Sequence, residues 1–340
     1  MLGIFSGLGI DLGTTNIRIY ARRRGIVVQE PSVVALDPAT GKISAVGEKA
    51  RSMVGKTPVG IWTLRPMKDG AIADYAAAEA MLRHFIRKVY TRRNILRPEV
   101  VLCISSGITD IERRAALEVV TSAGGRRIHL VDEVIAAALG AGLDISKPSG
   151  NLVVNLGGGT TTVATISLNS IVASRSLRIG GDKCDEAIVR YVKKTYNLLI
   201  GQLTAEEIKI AIGTIYKVSE RRSAEVRGRD LVTGLPRSVS ISSDEIHEAL
   251  LEPISIIVEA IKAVLEETPP ELVSDIADRG IILTGGGALL HGLPRLLSQE
   301  TGIPSYVSED PTNCAVKGAG RILESPWLLS EGLLARVGEL

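Results

Sequence analysis

Three glycine clusters carry the residue types from which a phosphate-binding site can be built: GIDLGTTN at 9–16, GGGTTT at 157–162 and GGGALL at 285–290. Glycine lets backbone N–H groups come within hydrogen-bond distance of phosphate oxygens, and small Thr and Asn side chains add donors. Gly13, Thr14, Thr15 and Asn16 suit that task, and Asp11 before them stands at a strand end, where a carboxylate can hold Mg²⁺ through water. One such loop alone reads better as an ordinary glycine-containing hairpin with Asp11 as a turn residue. Two of them, with Gly285, Gly286, Gly287, Ala288 and Leu289 ahead of a helical segment, can surround one polyphosphate nucleotide. No G-x-x-x-x-G-K-[ST] loop occurs, nor a G-x-G-x-x-G fingerprint followed by a suitably placed acid, so P-loop and dinucleotide chemistry are set aside.

The clusters need strands in front of them, and each follows an apolar, β-branched run. Ile10-Asp11-Leu12-Gly13-Thr14-Thr15 and Val154-Asn155-Leu156-Gly157 are similar, each leading into another strand-like run, so one β-hairpin is used twice. Helical periodicity covers 74–90, with Asp74 as N-cap and Ala78, Leu82, Phe85 and Val89 on one face, and continues at 109–123, 135–142, 185–199 and 244–267. Pro253 predicts a kink or break of the last helix near residue 252. Strand runs at 100–104, 128–131, 152–154 and 281–283 alternate with these helices, giving an α/β fold class. The segments 31–68 and about 182–242 leave this rhythm and read as insertions, one in each of two similar core domains.

Composition narrows the function. The chain has 340 residues, 45% hydrophobic, and its longest apolar run, 134–143, falls well short of the roughly 20 residues of a membrane span. A net charge of +2 and only 3% aromatic residues leave little for nucleic-acid binding, so no nucleic-acid partner is expected. Cys103, Cys184 and Cys314 are odd in number and far apart, and His84, His129, His247 and His291 are isolated. Neither a disulfide framework nor a zinc site is expected, no export signal is read, and a reducing cytoplasm fits.

GIDLGTTN, LGGGTT, ILTGGGALL and DEVIAAALGAG together resemble the actin-like ATPase superfamily. Within it RPMKDGAIADY (65–75), SGITDIERRA (106–115), SLRIGGDKCDEAI (176–188), RGRDLVTGLPR (227–237) and TPPELVSDIADRGIILTGGGALL (268–290) resemble the bacterial cell-shape family of MreB, Mbl and MreBH, from about residue 8 to 322. The resemblance implies an actin-like α/β fold of two similar core domains, each with an inserted subdomain, and ATP with Mg²⁺ in the cleft between them. The implied subdomains are 1–31 with 69–145 and 320–340, the insertion 32–68, then 146–181 with 243–319, and the insertion 182–242. It further implies self-association into paired protofilaments on the inner face of the cytoplasmic membrane, organising membrane-bound wall-synthesis proteins and rod shape.

Carried over by position, Thr14, Thr15 and Asn16 contact phosphates, Gly158, Gly159 and Thr160 with Gly157 form the second phosphate loop, and Gly286 to Leu289 lie by the adenosine. Glu206 and Lys209 reach the nucleoside, and Glu207 stands beside them. Read from the residues alone, Glu207 closes a capping box with Thr204, and Glu206 with Lys209 makes a surface ion pair worth under about 1 kcal/mol. Glu133 matches the family's water-orienting Glu, placing Glu133, Asn155 and Thr160 at the hydrolysing end; by itself Glu133 is also a helix N-terminal acid favoured by the dipole.

The sequence departs from the family near the γ-phosphate. Asn155 stands where Asp is usual, Thr162 where Glu is usual, Val134 for Pro, Asp132 for Glu, and Ser105 for the Pro of the turn before SGIT. The expectation is ATP binding and assembly with hydrolysis slow or absent. The alternatives are a non-hydrolysing regulatory partner of another MreB-like filament and a nucleotide-dependent enzyme on the same fold. By the resemblance, Arg92-Arg93-Asn94-Ile95-Leu96-Arg97-Pro98 occupies the position of the family's membrane-inserting loop: Arg93 and Arg97 can meet anionic headgroups while Ile95 and Leu96 enter the acyl boundary, unless this is a solvated basic loop with the apolar pair tucked inward. Leu2, Ile4, Phe5 and Leu8 offer a second anchor, and Arg22-Arg23-Arg24 reads as a solvated hairpin turn.

Overall fold

A computed structural model describes residues 7–90, 98–216, 222–325 and residue 328. Two five-stranded sheets share one plan. In the first, strand Gly7–Leu12 pairs antiparallel with Asn16–Ala21, which pairs antiparallel with Gly25–Pro31. On its other side Gly7–Leu12 runs parallel to Glu99–Ile104, and that strand parallel to Arg126–Asp132. In the second, Asn151–Leu156, Thr161–Ser167 and Ser170–Leu177 form the meander, with Ile281–Thr284 and Ser305–Val307 added in parallel. The hairpin used twice is therefore the centre of each sheet. Gly7–Leu12 and Asn151–Leu156 are buried along their whole length, as strands covered on both faces must be.

Helices cover the sheets where the apolar period predicts. Tyr75–Val89 starts at Asp74, whose carboxylate accepts from the Ala77 N–H at 2.9 Å, and it buries Ala78, Leu82, Phe85 and Val89. Asp110–Ala123 is opened by a Thr109/Glu112 capping box. A further core joins the two sheets, with Val101 and Val131 of the first and Val153 and Ala164 of the second packed around helices Glu133–Gly140 and Cys314–Glu324. The segments read as insertions carry small three-stranded sheets: Val34–Leu36, Ile43–Val46 and Trp62–Leu64 in one, Leu198–Leu199, Ser223–Asp230 and Pro236–Ser242 in the other.

Four local expectations are corrected. Of the kink or break expected near residue 252, the break does not occur, and helix Ser243–Glu267 is continuous through Pro253: the proline removes one backbone donor, but buried Leu250, Ile254, Ile257 and Ile261 hold both halves on one packed face. The helix expected over 185–199 is Gly181–Tyr196, ended by Asn197 in the left-handed conformation (φ 50°), after which Leu198–Leu199 joins a sheet. Thr204 and Glu207 do not cap, because their helix, Gln202–Ile212, begins earlier at Gly201. Leu8 is fully buried in the first strand and is not an anchor. The Arg22–Arg24 turn forms as read, although Arg22 donates to the Leu323 carbonyl and Arg24 to the Val89 carbonyl, which ties it to the fold.

Candidate functional site

The two glycine hairpins face each other across a cleft of about 620 Å³ that also takes in the turn after Ile281–Thr284. They approach closely: a Cβ on Gly158 would lie 1.9 Å from Thr15 Oγ1, and one on Gly159 2.5 Å from Thr14 Oγ1. Glycine is required here by proximity, as a backbone cradle for phosphate needs. The Gly70 N–H donates to Thr14 Oγ1 at 3.1 Å and the Ser32 hydroxyl to the Gly13 carbonyl at 2.7 Å, fixing the first loop from outside.

Beneath the loops lies a buried polar floor. Glu133, the first residue of its helix, accepts a hydrogen bond from Asn155 Nδ2 at 2.7 Å, and Asn155 Oδ1 accepts from the Thr284 hydroxyl at 3.0 Å. Burial, with the Asp11 charge adding to it, pushes the Glu133 carboxyl up to about 7. Burial also raises Asp11, opposed by Arg18, whose Nη1 stands 3.3 Å from Asp11 Oδ2. Thr162 turns away from this floor, its hydroxyl pairing with that of Ser176 at 3.2 Å.

At the other end, Lys209 Nζ donates to the Gly181 carbonyl at 2.9 Å and pairs with Asp185 Oδ1 at 2.7 Å. Burial pushes Asp185 up to about 6 against that ammonium. Glu206 meets Arg51 Nη2 at 2.8 Å, and Asp182 meets Arg65 Nη1 at 2.7 Å, so the two inserted segments are clasped over the cleft mouth. Leu289 and Ile210 line the cleft while 62% and 75% exposed, an apolar pair suited to a base.

The fold brings Asp11, Gly13, Thr14, Thr15 and Asn16 to this cleft with Glu133 and Asn155. It adds Gly157, Gly158, Gly159 and Thr160 from the second hairpin, and Glu206, Lys209, Gly285, Gly286, Gly287 and Leu289 at the far end. Two residues expected there point elsewhere. Glu207 is exposed on the outer side of its helix, one position round from Glu206, and Ala288 is 1% exposed, turned into the core. Arg93, Ile95, Leu96 and Arg97, and Leu2, Ile4 and Phe5, lie outside the described residues. Sequence reasoning missed Arg18, Asp185, Arg51 and Arg65. Only Arg18 left a trace: strand alternation sets it on the same side as Asn16, opposite buried Ile17 and Ile19.

A nucleotide fits this donor set: two glycine-rich backbones for phosphates, a lysine and a glutamate for polar nucleoside atoms, and apolar side chains for a base. Mg²⁺ fits less well. Asp11 is engaged by a guanidinium, Asn155 is neutral and spends its amide on Glu133, and among the described residues no group of three or more His, Cys, Asp or Glu is placed to hold a metal ion.

The MreB/Mbl protein family matches residues 6–331 of the chain. The cell shape-determining protein MreB of Escherichia coli (strain K12) is 52% identical over 329 residues, covering 95% of this chain and 94% of that one. The cell shape-determining protein Mbl of Bacillus cereus is 50% identical over 318 residues, covering 94% and 96%. The crystal structure of MreB5 of Spiroplasma citri bound to ADP superposes with a TM-score of 0.91 at 37% identity, covering 97% of this chain and 99% of that one. A repeated hairpin at the centre of two matched sheets, a cleft between them and similarity along nearly the whole sequence agree, and the chain belongs to the MreB/Mbl family of actin-like cell-shape proteins.

Proposed function

We propose that this chain is an ATP-binding filament protein that self-associates at the inner face of the cytoplasmic membrane and organises wall-synthesis proteins and rod shape, with slow ATP turnover. Its relatives' names support the cell-shape role, and the ADP-bound MreB5 of Spiroplasma citri supports a nucleotide in the cleft. The division into 1–31 with 69–145 and 320–340, 32–68, 146–181 with 243–319, and 182–242 is part of this reading, the cleft opening between the two cores.

The observation that carries slow turnover is the Asn155–Glu133 hydrogen bond. In-line attack on a γ-phosphate needs an oriented water, a task a carboxylate or an amide performs and for which Glu133 is the candidate here. Here one Glu133 oxygen is taken by the Asn155 amide, and with its carboxyl at about 7 a large share of Glu133 is protonated near neutral pH. The loops bind and orient the triphosphate, while the water-orienting group is half-disabled. Asn155→Asp would remove the amide donor and free that Glu133 oxygen, and a Mg²⁺ ion held beside it would offset the added charge, so that Glu133 stays ionised in the loaded site. With Mg²⁺ present, phosphate release is expected to rise about tenfold or more in that variant, while pelleting with anionic liposomes is retained. Equal release from both proteins, at the rate of an ordinary family member, would overturn the slow-turnover reading; no pelleting would overturn the filament reading.

A second reading, a non-hydrolysing partner of another MreB-like filament, is favoured by Thr162, whose hydroxyl is spent on Ser176 and offers no acid to the site. Mixing the chain with a hydrolysing relative is then expected to change that relative's filament length, and unchanged lengths would discard it.

A further inference from the structure

Strand register places Asp11 and Arg18 directly across the first hairpin, and their side chains are 8% and 13% exposed. The equivalent pair across the second hairpin is Asn155 and Thr162, both uncharged. The floor beneath the phosphate loops thus carries one carboxylate neutralised by a guanidinium, neutral Asn155, and Glu133 held by the Asn155 amide, while Thr162 offers no charge and pairs with Ser176 instead. A divalent ion is drawn to a site with surplus negative charge and free oxygen ligands. This floor offers little of either. It offers instead a resident cation: Arg18 lines the cleft, its Nε is buried without a hydrogen-bond partner among the described residues, and arginine keeps its charge at any accessible pH.

We propose that Arg18 is the built-in counter-cation of the phosphate site, so that a nucleoside triphosphate binds this chain with little dependence on Mg²⁺. The inference rests on reading the cleft as a nucleotide site and goes beyond it by assigning charge neutralisation to a side chain. A planar guanidinium supplies several donors in one plane and suits adjacent phosphate oxygens. Asp11 acts as the positioning residue, holding that plane against the sheet when no phosphate is present.

The test is ATP titration, by calorimetry, of the full chain in millimolar MgCl₂ and again in EDTA, with Arg18→Gln, Arg18→Lys and wild type compared. Wild type is expected to change affinity less than about threefold between the two media, and Arg18→Gln to lose about thirtyfold or more in EDTA and recover most of it with Mg²⁺, since Asp11 is then free for the metal. Arg18→Lys, which keeps the charge, is expected to stay within about fivefold of wild type in EDTA. Wild type losing more than about thirtyfold in EDTA would overturn the assignment, a comparison that needs no variant to fold. So would Arg18→Gln binding as well as wild type in EDTA. Binding that requires Mg²⁺ defeats only the role of Arg18, whereas no ATP binding in either medium defeats the nucleotide reading itself.

Discussion

Gly318→Ala and Gly140→Ala are each expected to lower stability by about 3 kcal/mol or more, although helix propensity alone favours Ala over Gly by about 1 kcal/mol. The reason is a reciprocal crossing of two helices. A Cβ on Gly318 of Cys314–Glu324 would lie 1.8 Å from the Ala136 carbonyl oxygen, and one on Gly140 of Glu133–Gly140 1.8 Å from the Cys314 carbonyl oxygen. Each helix thus offers a backbone carbonyl and, four residues on, a glycine to receive its neighbour's. No side chain can rotate out of the way, because the obstructing atoms are backbone, and Arg321 further binds the pair by donating to the Leu139 carbonyl. Relief requires the helices to separate, which loosens the core shared by the two sheets. Urea or thermal unfolding checks this, with Gly201→Ala as the control, since nothing lies within 4 Å of its added Cβ. The variants are expected to melt at least about 4 °C lower and the control to stay close to wild type. A Gly318→Ala protein that melts higher, as propensity alone would have it, would show that the crossing is not this tight.

How far such features can be read ahead depends on how local their cause is. The hairpins were legible because Gly13 and Gly157 sit at fixed distances from Asp11 and Asn155, and a strand–turn–strand pattern is a short-range property. The Asp74 cap was legible for the same reason. Thr204 and Glu207 carry the same local signature yet lie inside a helix, because Gly201, which starts it earlier, has no side chain to announce itself. The break allowed for at Pro253 does not occur because a proline's local cost is fixed while the burial that offsets it is tertiary. The clasp of Arg51 on Glu206 joins residues 155 positions apart, and no spacing rule reaches that far. Arg18 lies only 7 positions from Asp11, but its partner follows from a register that a one-residue slip would have reversed.

Glu133→Gln is expected to stabilise the nucleotide-free protein at pH 8 and to lose that advantage as the pH falls toward 5. An ordinary glutamate titrates at 4.5, and burial raises this one to about 7 in the folded chain. The folded state therefore holds the proton more tightly than the unfolded state does. The stability Glu133 contributes is complete below about 4.5, declines as pH rises through 7, and is absent above it. At 1.36 kcal/mol per unit the span is on the order of 3 kcal/mol. Glutamine carries no charge at any pH and keeps an oxygen for the Asn155 amide, so its stability should not show this decline. Thermal unfolding across pH 5 to 8 is expected to give wild-type and variant curves that converge at the acid end and separate at the alkaline end; parallel curves would mean that Glu133 is not desolvated. The same logic orders a third protein. Asn155→Asp replaces the amide donor 2.7 Å from Glu133 with a second carboxylate, and two like charges that close cannot both ionise without raising one proton affinity further. Its stability should therefore fall more steeply with pH than that of wild type in the absence of nucleotide. Neutral Asn155 is thus what lets half-buried Glu133 be tolerated near neutral pH when no nucleotide is bound.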